Sequence, residues 1–114
     1  PNDASSLHVG DLDGSSTSLG SNWNATVTAR VHDSNEGAVS NATVTGSWST
    51  GGSSECVTSG DGICNVTSPN LRKRIGSTTF TVTDVTHATL TYSPSANHDP
   101  DGDSDGTSIT VSKP

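Results

Sequence analysis

Four aspartates alternate with small or turn-forming residues in one short stretch of the sequence, residues 97–106 (NHDPDGDSDG). Carboxylates at every second position of a turning loop converge on one point. Ca²⁺ takes about six to eight such oxygens at about 2.3–2.6 Å, and glycine allows the sharp turn that the loop needs. The spacing therefore predicts a calcium site, and its ligands are expected to be Asp99, Asp101, Asp103 and Asp105.

This acidic run does not continue as a helix-flanked calcium loop. Residues 101–106 (DGDSDG) match the opening of that motif, but Ser112 stands where it requires a bidentate glutamate. The run looks more like the aspartate-rich calcium loops of extracellular repeats. Asp11 and Asp13 are then the expected donors of the missing ligands. The alternative is a solvated acidic turn without metal, whose carboxylates repel one another.

The composition indicates a single all-β domain, residues 1–114, with a thin hydrophobic core. Hydrophobic residues make up only 27% of the chain, whereas Ser and Thr together make up about a third. Threonine is β-branched and suits strands, and serine and glycine suit loops. Since so little apolar surface is available for burial, an additional cross-link or a bound ion is expected to stabilise the fold.

The two cysteines, Cys56 and Cys64, flank a Gly-Asp-Gly turn. The segments on either side of this turn are predicted to be the arms of a hairpin, on which the cysteines face each other at disulfide distance. Two ligands alone make a poor zinc site. The pair therefore predicts a disulfide and an oxidising compartment.

Residues 23–31 show strict alternation of apolar and polar side chains, which predicts a half-buried strand. A turn at 33–37 is expected to join it in a hairpin to a strand at 38–48. Other strands are predicted at 7–9, 55–58, 63–67, 77–85, 87–92 and 107–112, with a loop over 10–21. Seven or eight short strands separated by turns predict a β-sandwich. Its first and last strands often lie close together, so one ion could bind Asp11, Asp13 and the acidic run at once.

Two other groups of residues are candidate surface sites. Trp23, Trp48 and Tyr92 could stack against a sugar, although the phase of the tryptophans in their strands favours the core. Three Asn-x-Thr sequons fall on outward positions of predicted strands, where a host could glycosylate them. These asparagines are Asn24, Asn41 and Asn65.

Several function classes are disfavoured by the sequence. A net charge of −7 argues against nucleic acid as a partner. No apolar run approaches the length of a membrane span, so membrane insertion is not expected. The histidines show no metal-type spacing, and abundant Ser, His and Asp do not by themselves make a triad, so the chain is not expected to be an enzyme. The start at Pro1 is what a mature or excised unit would show. Residues 1–6 are predicted to be a linker or an extended arm, and residues 113–114 a linker end.

With these strands placed, the chain resembles bacterial immunoglobulin-like domains of secreted and surface proteins. The resemblance lies in residues 31–44 (VHDSNEGAVSNATV) and 56–64 (CVTSGDGIC). It implies an immunoglobulin-like antiparallel sandwich of the kind found in tandem spacers and adhesin stalks.

The expected function is therefore a non-enzymatic, extracellular structural or adhesive module. The expected partners are neighbouring copies or domains of the same chain, in an array or filament, or a ligand on a cell surface. The alternative is a carbohydrate-binding accessory module of a secreted hydrolase, whose ligand would be a polysaccharide.

Overall fold

The computed structural model describes residues 6–35, 37–97 and 106–114. These residues form nine strands and one turn of 3₁₀ helix. The elements are β1 (Ser6–Ser18), β2 (Asn22–Asp33), β3 (Thr43–Trp48), β4 (Ser53–Val57), β5 (Ile63–Thr67), β6 (Leu71–Arg72), β7 (Ser77–Thr86), β8 (Thr91–Tyr92), the 3₁₀ turn Pro94–Ala96 and β9 (Ser108–Ser112). In this described part of the chain, no helix has the length and apolar character needed to cross a bilayer.

The strands form two sheets that pack face to face. The first has the order β5-β2-β1-β8, with β6 also paired to β2, and the second has the order β4-β3-β7-β9. Every pairing is antiparallel except the short one between β1 and β8. The predicted all-β sandwich is thus confirmed, with one additional strand, β6, of only two residues.

Strand β2 is the centre of the first sheet, and its alternation is confirmed. Its inward side chains are all at most 1% exposed: Trp23, Ala25, Val27, Ala29 and Val31. The intervening positions face outward and are more exposed. Strands β7 and β9 also agree with the prediction, because Phe80 and Val82 on β7 and Ile109 and Val111 on β9 are buried.

Strand β1 is much longer than predicted. The expected loop over 10–21 is wrong, because β1 continues to Ser18 and pairs with β2 from Leu7–Asp33 to Ser18–Trp23. A bulge between Val9 and Asp11 shifts the register. In the second half of the strand only Leu12 contributes a buried apolar side chain. Backbone pairing with β2 therefore forms this strand, and composition gives little sign of it.

Both predicted hairpins are wrong, because their arms belong to different sheets. Strand β2 lies in the first sheet and β3 in the second, and the same is true of β5 and β4 respectively. Only an isolated bridge between His32 and Ala38 extends β2 toward the next segment. The predicted strand at 87–92 is also shorter, since only Thr91 and Tyr92 pair with β1.

The core between the sheets combines a few large side chains with many small ones. The Trp48 and Phe80 rings pack with their centroids 4.8 Å apart. Gly46 lies directly under the Phe80 ring, and a Cβ there would come within 2.3 Å of the Phe80 Cζ atom. This close approach explains why an inward position of β3 is occupied by glycine.

Candidate functional site

The side chain of Asn97 binds three separate parts of the chain at the point where the acidic run begins. Its Oδ1 accepts a hydrogen bond of 2.7 Å from the Val9 amide of β1. Its Nδ2 donates to the Tyr92 hydroxyl at 2.7 Å and to the Thr107 hydroxyl at 3.1 Å. Because the four aspartates lie between Asn97 and Thr107 in the sequence, this one side chain joins the two residues that flank them. We call these three hydrogen bonds the Asn97 clasp.

Backbone hydrogen bonds fix the surroundings of the clasp to both sheets. The Ser93 amide donates to the Leu7 carbonyl of β1, and the Val82 amide of β7 donates to the Thr107 carbonyl, each at 2.8 Å. The base of the acidic run is therefore anchored to the first sheet and to the second. Four of the six predicted calcium ligands lie outside the described residues: Asp99, Asp101, Asp103 and Asp105. The calcium site therefore stays a prediction.

The other two predicted ligands, Asp11 and Asp13, lie on β1 close to the clasp. They stand opposite Arg30 and Thr28 of β2. Asp11 lies two residues after Val9, whose amide donates to Asn97. The Oδ1 atom of Asp11 is shielded from solvent. In the described ranges, no three or more His, Cys, Asp or Glu side chains form a group that could hold a metal. Asp11 and Asp13 alone would therefore need ligands from the acidic run.

Tyr92 is half-buried and belongs to the clasp. Burial raises the pKa of its phenol above the usual 10.0, the hydrogen bond from Asn97 opposes that rise, and the charge of Asp84 adds to it. Neutral Tyr92 is the form that fits this environment, because a phenolate would be desolvated and would face a carboxylate. Tyr92, the third residue predicted to stack against a sugar, thus has its hydroxyl bound to Asn97.

The two tryptophans are core residues, as their strand phase favoured. Trp23 is 1% exposed and Trp48 is 3% exposed. The Trp23 indole N–H donates to the Ile75 carbonyl at 3.0 Å, and that of Trp48 donates to the Ser54 hydroxyl at 2.9 Å. Neither ring offers a free face to a ligand. The sugar-binding alternative therefore loses two of its three candidate stacking residues.

The disulfide between Cys56 and Cys64 is confirmed, with the two Cα atoms 5.8 Å apart. Its architectural role differs from the one predicted, because β4 and β5 lie in different sheets. The bond therefore joins the two layers of the sandwich across one side. In the described residues it leaves no free cysteine.

The three sequon asparagines lie at the protein surface. Asn41 and Asn65 are exposed, and Asn24 is partly exposed. The Thr28 hydroxyl donates to the Asn65 Oδ1 at 2.7 Å. Asn41 has a positive φ of 60°, a conformation that asparagine tolerates better than most residues. Their predicted outward orientation leaves all three within reach of a glycosylating enzyme, and their use stays a prediction.

Four basic side chains lie together at the other end of the sandwich, and the sequence alone did not indicate this grouping. In the sequence, residues 72–74 (RKR) are only a short run of three basic residues. The structure brings Lys113 beside them: its ammonium donates to the Lys73 carbonyl at 3.1 Å, and its amide donates to the Gly76 carbonyl. We call this surface the basic pole, comprising Arg72, Lys73, Arg74 and Lys113. A separation of 40 residues hid the contact from any local pattern.

Comparison with known proteins adds no family assignment. No protein-family model, curated protein or solved structure matches this chain.

Proposed function

We propose that this protein is a non-enzymatic, extracellular structural or adhesive module that serves as one unit of a tandem array or filament. The observation that carries this proposal is the position of the first and last residues that the structure describes. Ser6 begins β1, whereas Pro114 lines a cavity together with Ser18 at the opposite end of the same strand. A strand of 13 residues spans about 40 Å. Ser6 and Pro114 therefore lie at opposite ends of a molecule that measures 54 × 25 × 20 Å.

This geometry favours extension when units are joined end to end. A chain that enters at one end of the long axis and leaves at the other adds its full length to an array, whereas ends on the same side would fold successive units back. The outer face of the second sheet, as far as the structure describes it, is polar, and a polar surface suits an extended spacer. Apart from Asp84, the outward positions of three adjacent strands carry hydroxyl side chains, among them Thr43, Thr45, Ser47, Thr79, Thr81, Thr83, Ser108, Thr110 and Ser112.

We include Ca²⁺ in the proposal as a stabilising ion held by the acidic run with Asp11 and Asp13. Carboxylate oxygens are the ligands that Ca²⁺ prefers. The Asn97 clasp supports this assignment, because it brings the base of the run to Val9, two residues before Asp11. Binding only to the folded state would stabilise a fold whose hydrophobic fraction is 27%. The ion would then tighten the attachment of β1 to β9.

An extracellular location is the compartment that best suits the disulfide, since reducing compartments keep thiols reduced. The resemblance of residues 31–44 and 56–64 to bacterial immunoglobulin-like domains agrees with that location. Both arguments are independent of the position of the chain ends.

Small-angle X-ray scattering of two and three copies joined in tandem tests the spacer function. We expect the largest dimension to grow by nearly the 54 Å length of one unit for each copy added. Tandem chains that scatter as compact particles would overturn the proposal.

Thermal unfolding with Ca²⁺ and with EDTA tests the role of the ion. The variant Asp103→Asn/Asp105→Asn should unfold at a lower temperature than the parent chain when Ca²⁺ is present, and at the same temperature in EDTA. Glu55→Gln, at an exposed position of β4 on the edge of the second sheet opposite β9, is the matched control and should respond to Ca²⁺ as the parent does. An equal loss of stability in both buffers would remove calcium from the proposal.

A further inference from the structure

The charges of this acidic chain are strongly segregated along its long axis. Of its five Lys and Arg residues, four form the basic pole and only Arg30 lies elsewhere. Strand β6, which leads into the basic turn, pairs with the first residues of β2. Lys113 follows β9 at the same end. The end of the molecule at which the chain leaves is thus basic, although the net charge is −7.

The backbone beneath these cations is held in place by several hydrogen bonds. The Ile75 amide closes the turn onto the Arg72 carbonyl at 2.8 Å. The Ile75 carbonyl accepts from the buried Trp23 indole, and the Lys73 carbonyl accepts from Lys113. An interface formed here would lose little backbone entropy on binding, because the turn is already ordered.

The opposite end of the molecule carries the opposite charge. Asp33 ends β2 there, and Asp61 lies in the turn between β4 and β5. The Val31 amide bonds to the Gly62 carbonyl at 2.8 Å, which places the two turns side by side. Residues 33–42 and 58–62 contain no Lys or Arg. We call Asp33 and Asp61 with their turns the acidic pole.

Apolar side chains accompany the charges at both poles. In the described residues, the large hydrophobic side chains that are exposed are Leu19, at 45%, and Val57, at 60%. Leu19 lies in the turn between β1 and β2, near the basic pole. Val57 ends β4, just before the turn that carries Asp61. A cavity of about 270 Å³ opens at the basic pole, lined by Lys73 and Lys113 together with Ser18, Asn22, Trp23 and Pro114.

We propose that the basic pole of one copy of this chain docks on the acidic pole of the next copy. The inference rests on the proposed function, because it describes the joint between successive units of the array. Each copy presents the two complementary surfaces at opposite ends of its long axis, so the contact is head-to-tail and can repeat without closing on itself. Leu19 and Val57 supply apolar area within a contact whose orientation is set by charge.

A second copy fits this surface better than a sulfated polysaccharide does. A polyanion would meet four cations but would also approach a molecule with net charge −7, which repels it elsewhere. The next copy supplies the small acidic pole with the exposed Val57 beside it, and Val57 is an apolar partner for the exposed Leu19. Binding of a sulfated polysaccharide is one of the outcomes that the experiment distinguishes.

Sedimentation velocity of the 114-residue chain at rising concentration provides the test. We expect head-to-tail association that weakens as ionic strength rises. Arg74→Glu and Asp61→Lys should each weaken it about tenfold or more, because each places like charges opposite one another. Thr83→Glu is the control: it adds negative charge at an exposed mid-strand position of β7 between the two poles, and its association should equal that of the parent.

Mixing the two pole variants makes the test specific to the geometry. Each variant alone should be largely monomeric, whereas an equimolar mixture should form 1:1 complexes, because each retains the pole that the other has lost. Circular dichroism and thermal unfolding of each variant verify that it is folded.

The inference is overturned if the parent chain stays monomeric at low ionic strength, if the mixture stays monomeric, or if Arg74→Glu associates as the parent does. Binding of a sulfated polysaccharide by a chain that does not self-associate would overturn it in favour of the glycan. Tandem copies that are extended in scattering while the pole variants behave as the parent would remove only this joint and leave the spacer function intact.

Discussion

The two halves of the sandwich are stabilised in different ways. The half near the basic pole contains the large core side chains, among them Trp23, Trp48 and Phe80. There the Trp23 indole also donates a hydrogen bond to the Ile75 carbonyl. The half near the acidic pole is filled mainly by valine and alanine, and there the Asn97 clasp and the disulfide join the layers. A cross-link and a polar clasp are thus placed where apolar bulk is least. The thin core is therefore reinforced locally, at the end that has the least apolar bulk.

Removing the largest side chain of the basic half should have the greatest effect. Trp23→Ala leaves a cavity among fully buried neighbours and should reduce the free energy of unfolding by about 3–5 kcal/mol. Chemical denaturation monitored by circular dichroism measures the loss.

Trp23→Phe separates the packing of this residue from its hydrogen bond. It retains an aromatic ring but loses the indole donor to Ile75, so it should cost less than Trp23→Ala and increase amide exchange in the basic turn. A Trp23→Ala variant as stable as the parent would show that the large core side chains do not stabilise this half.

The acidic half should depend on its cross-link. Cys56→Ala/Cys64→Ala removes a short closed loop and should reduce the free energy of unfolding by about 2–3 kcal/mol. Reduction of the parent chain should reproduce most of that loss. If the reduced and oxidised chains unfold at the same denaturant concentration, the disulfide is not what stabilises this half.

Loss of the Asn97 clasp should have the next largest effect. Asn97→Ala removes the partner of the Val9 amide and both donors to Tyr92 and Thr107, and should cost about 1–3 kcal/mol. Asn97→Asp keeps the acceptor for Val9 but loses the amide donors, so it should fall between the parent and the alanine variant. Asn70→Ala, at an exposed loop position, is the matched control and should leave stability unchanged.

The smallest expected effect is an alkaline sensitivity of the acidic half alone. Burial raises the pKa of Tyr92 above 10.0 in the folded chain, so the unfolded chain loses this proton first as the pH rises. The contribution of neutral Tyr92 is therefore fully present below pH 10 and is lost as the pH rises toward the folded pKa. Tyr92→Phe should remove that part of the pH dependence, as followed by unfolding midpoints and phenolate absorbance. A Tyr92 that titrates at the usual pKa would contradict the prediction.

Strong periodicity and cysteine spacing were sufficient to predict several features. The alternation of β2 identified its five buried side chains, and the eight-residue separation of Cys56 and Cys64 identified their disulfide. Both signals come from chemistry that the local sequence determines. The burial of Trp23 and Trp48 followed from the same alternation.

Features that depend on pairing between distant segments could not be predicted in this way. The second half of β1 is polar and becomes a strand only because β2 provides eleven register partners along the whole of β1. A turn sequence such as residues 58–62 suits a hairpin and a crossing between sheets equally well, so β4 and β5 were assigned to the wrong arrangement. The Asn97 clasp joins residues 88 positions apart, and no spacing rule indicates it.

The pairings of the two terminal strands, β1 with β2 and β9 with β7, also affect how this molecule would respond to mechanical force. Tension applied between Ser6 and Pro114 acts along the axis of β1, so it loads the hydrogen bonds to β2 in shear. In shear, many bonds bear the load together, whereas a perpendicular pull would open them one after another. The two terminal ladders bear this load in series, β1 with β2 over eleven register pairs and β9 with β7 over five, so the shorter β7–β9 ladder is expected to set the force at which the fold ruptures.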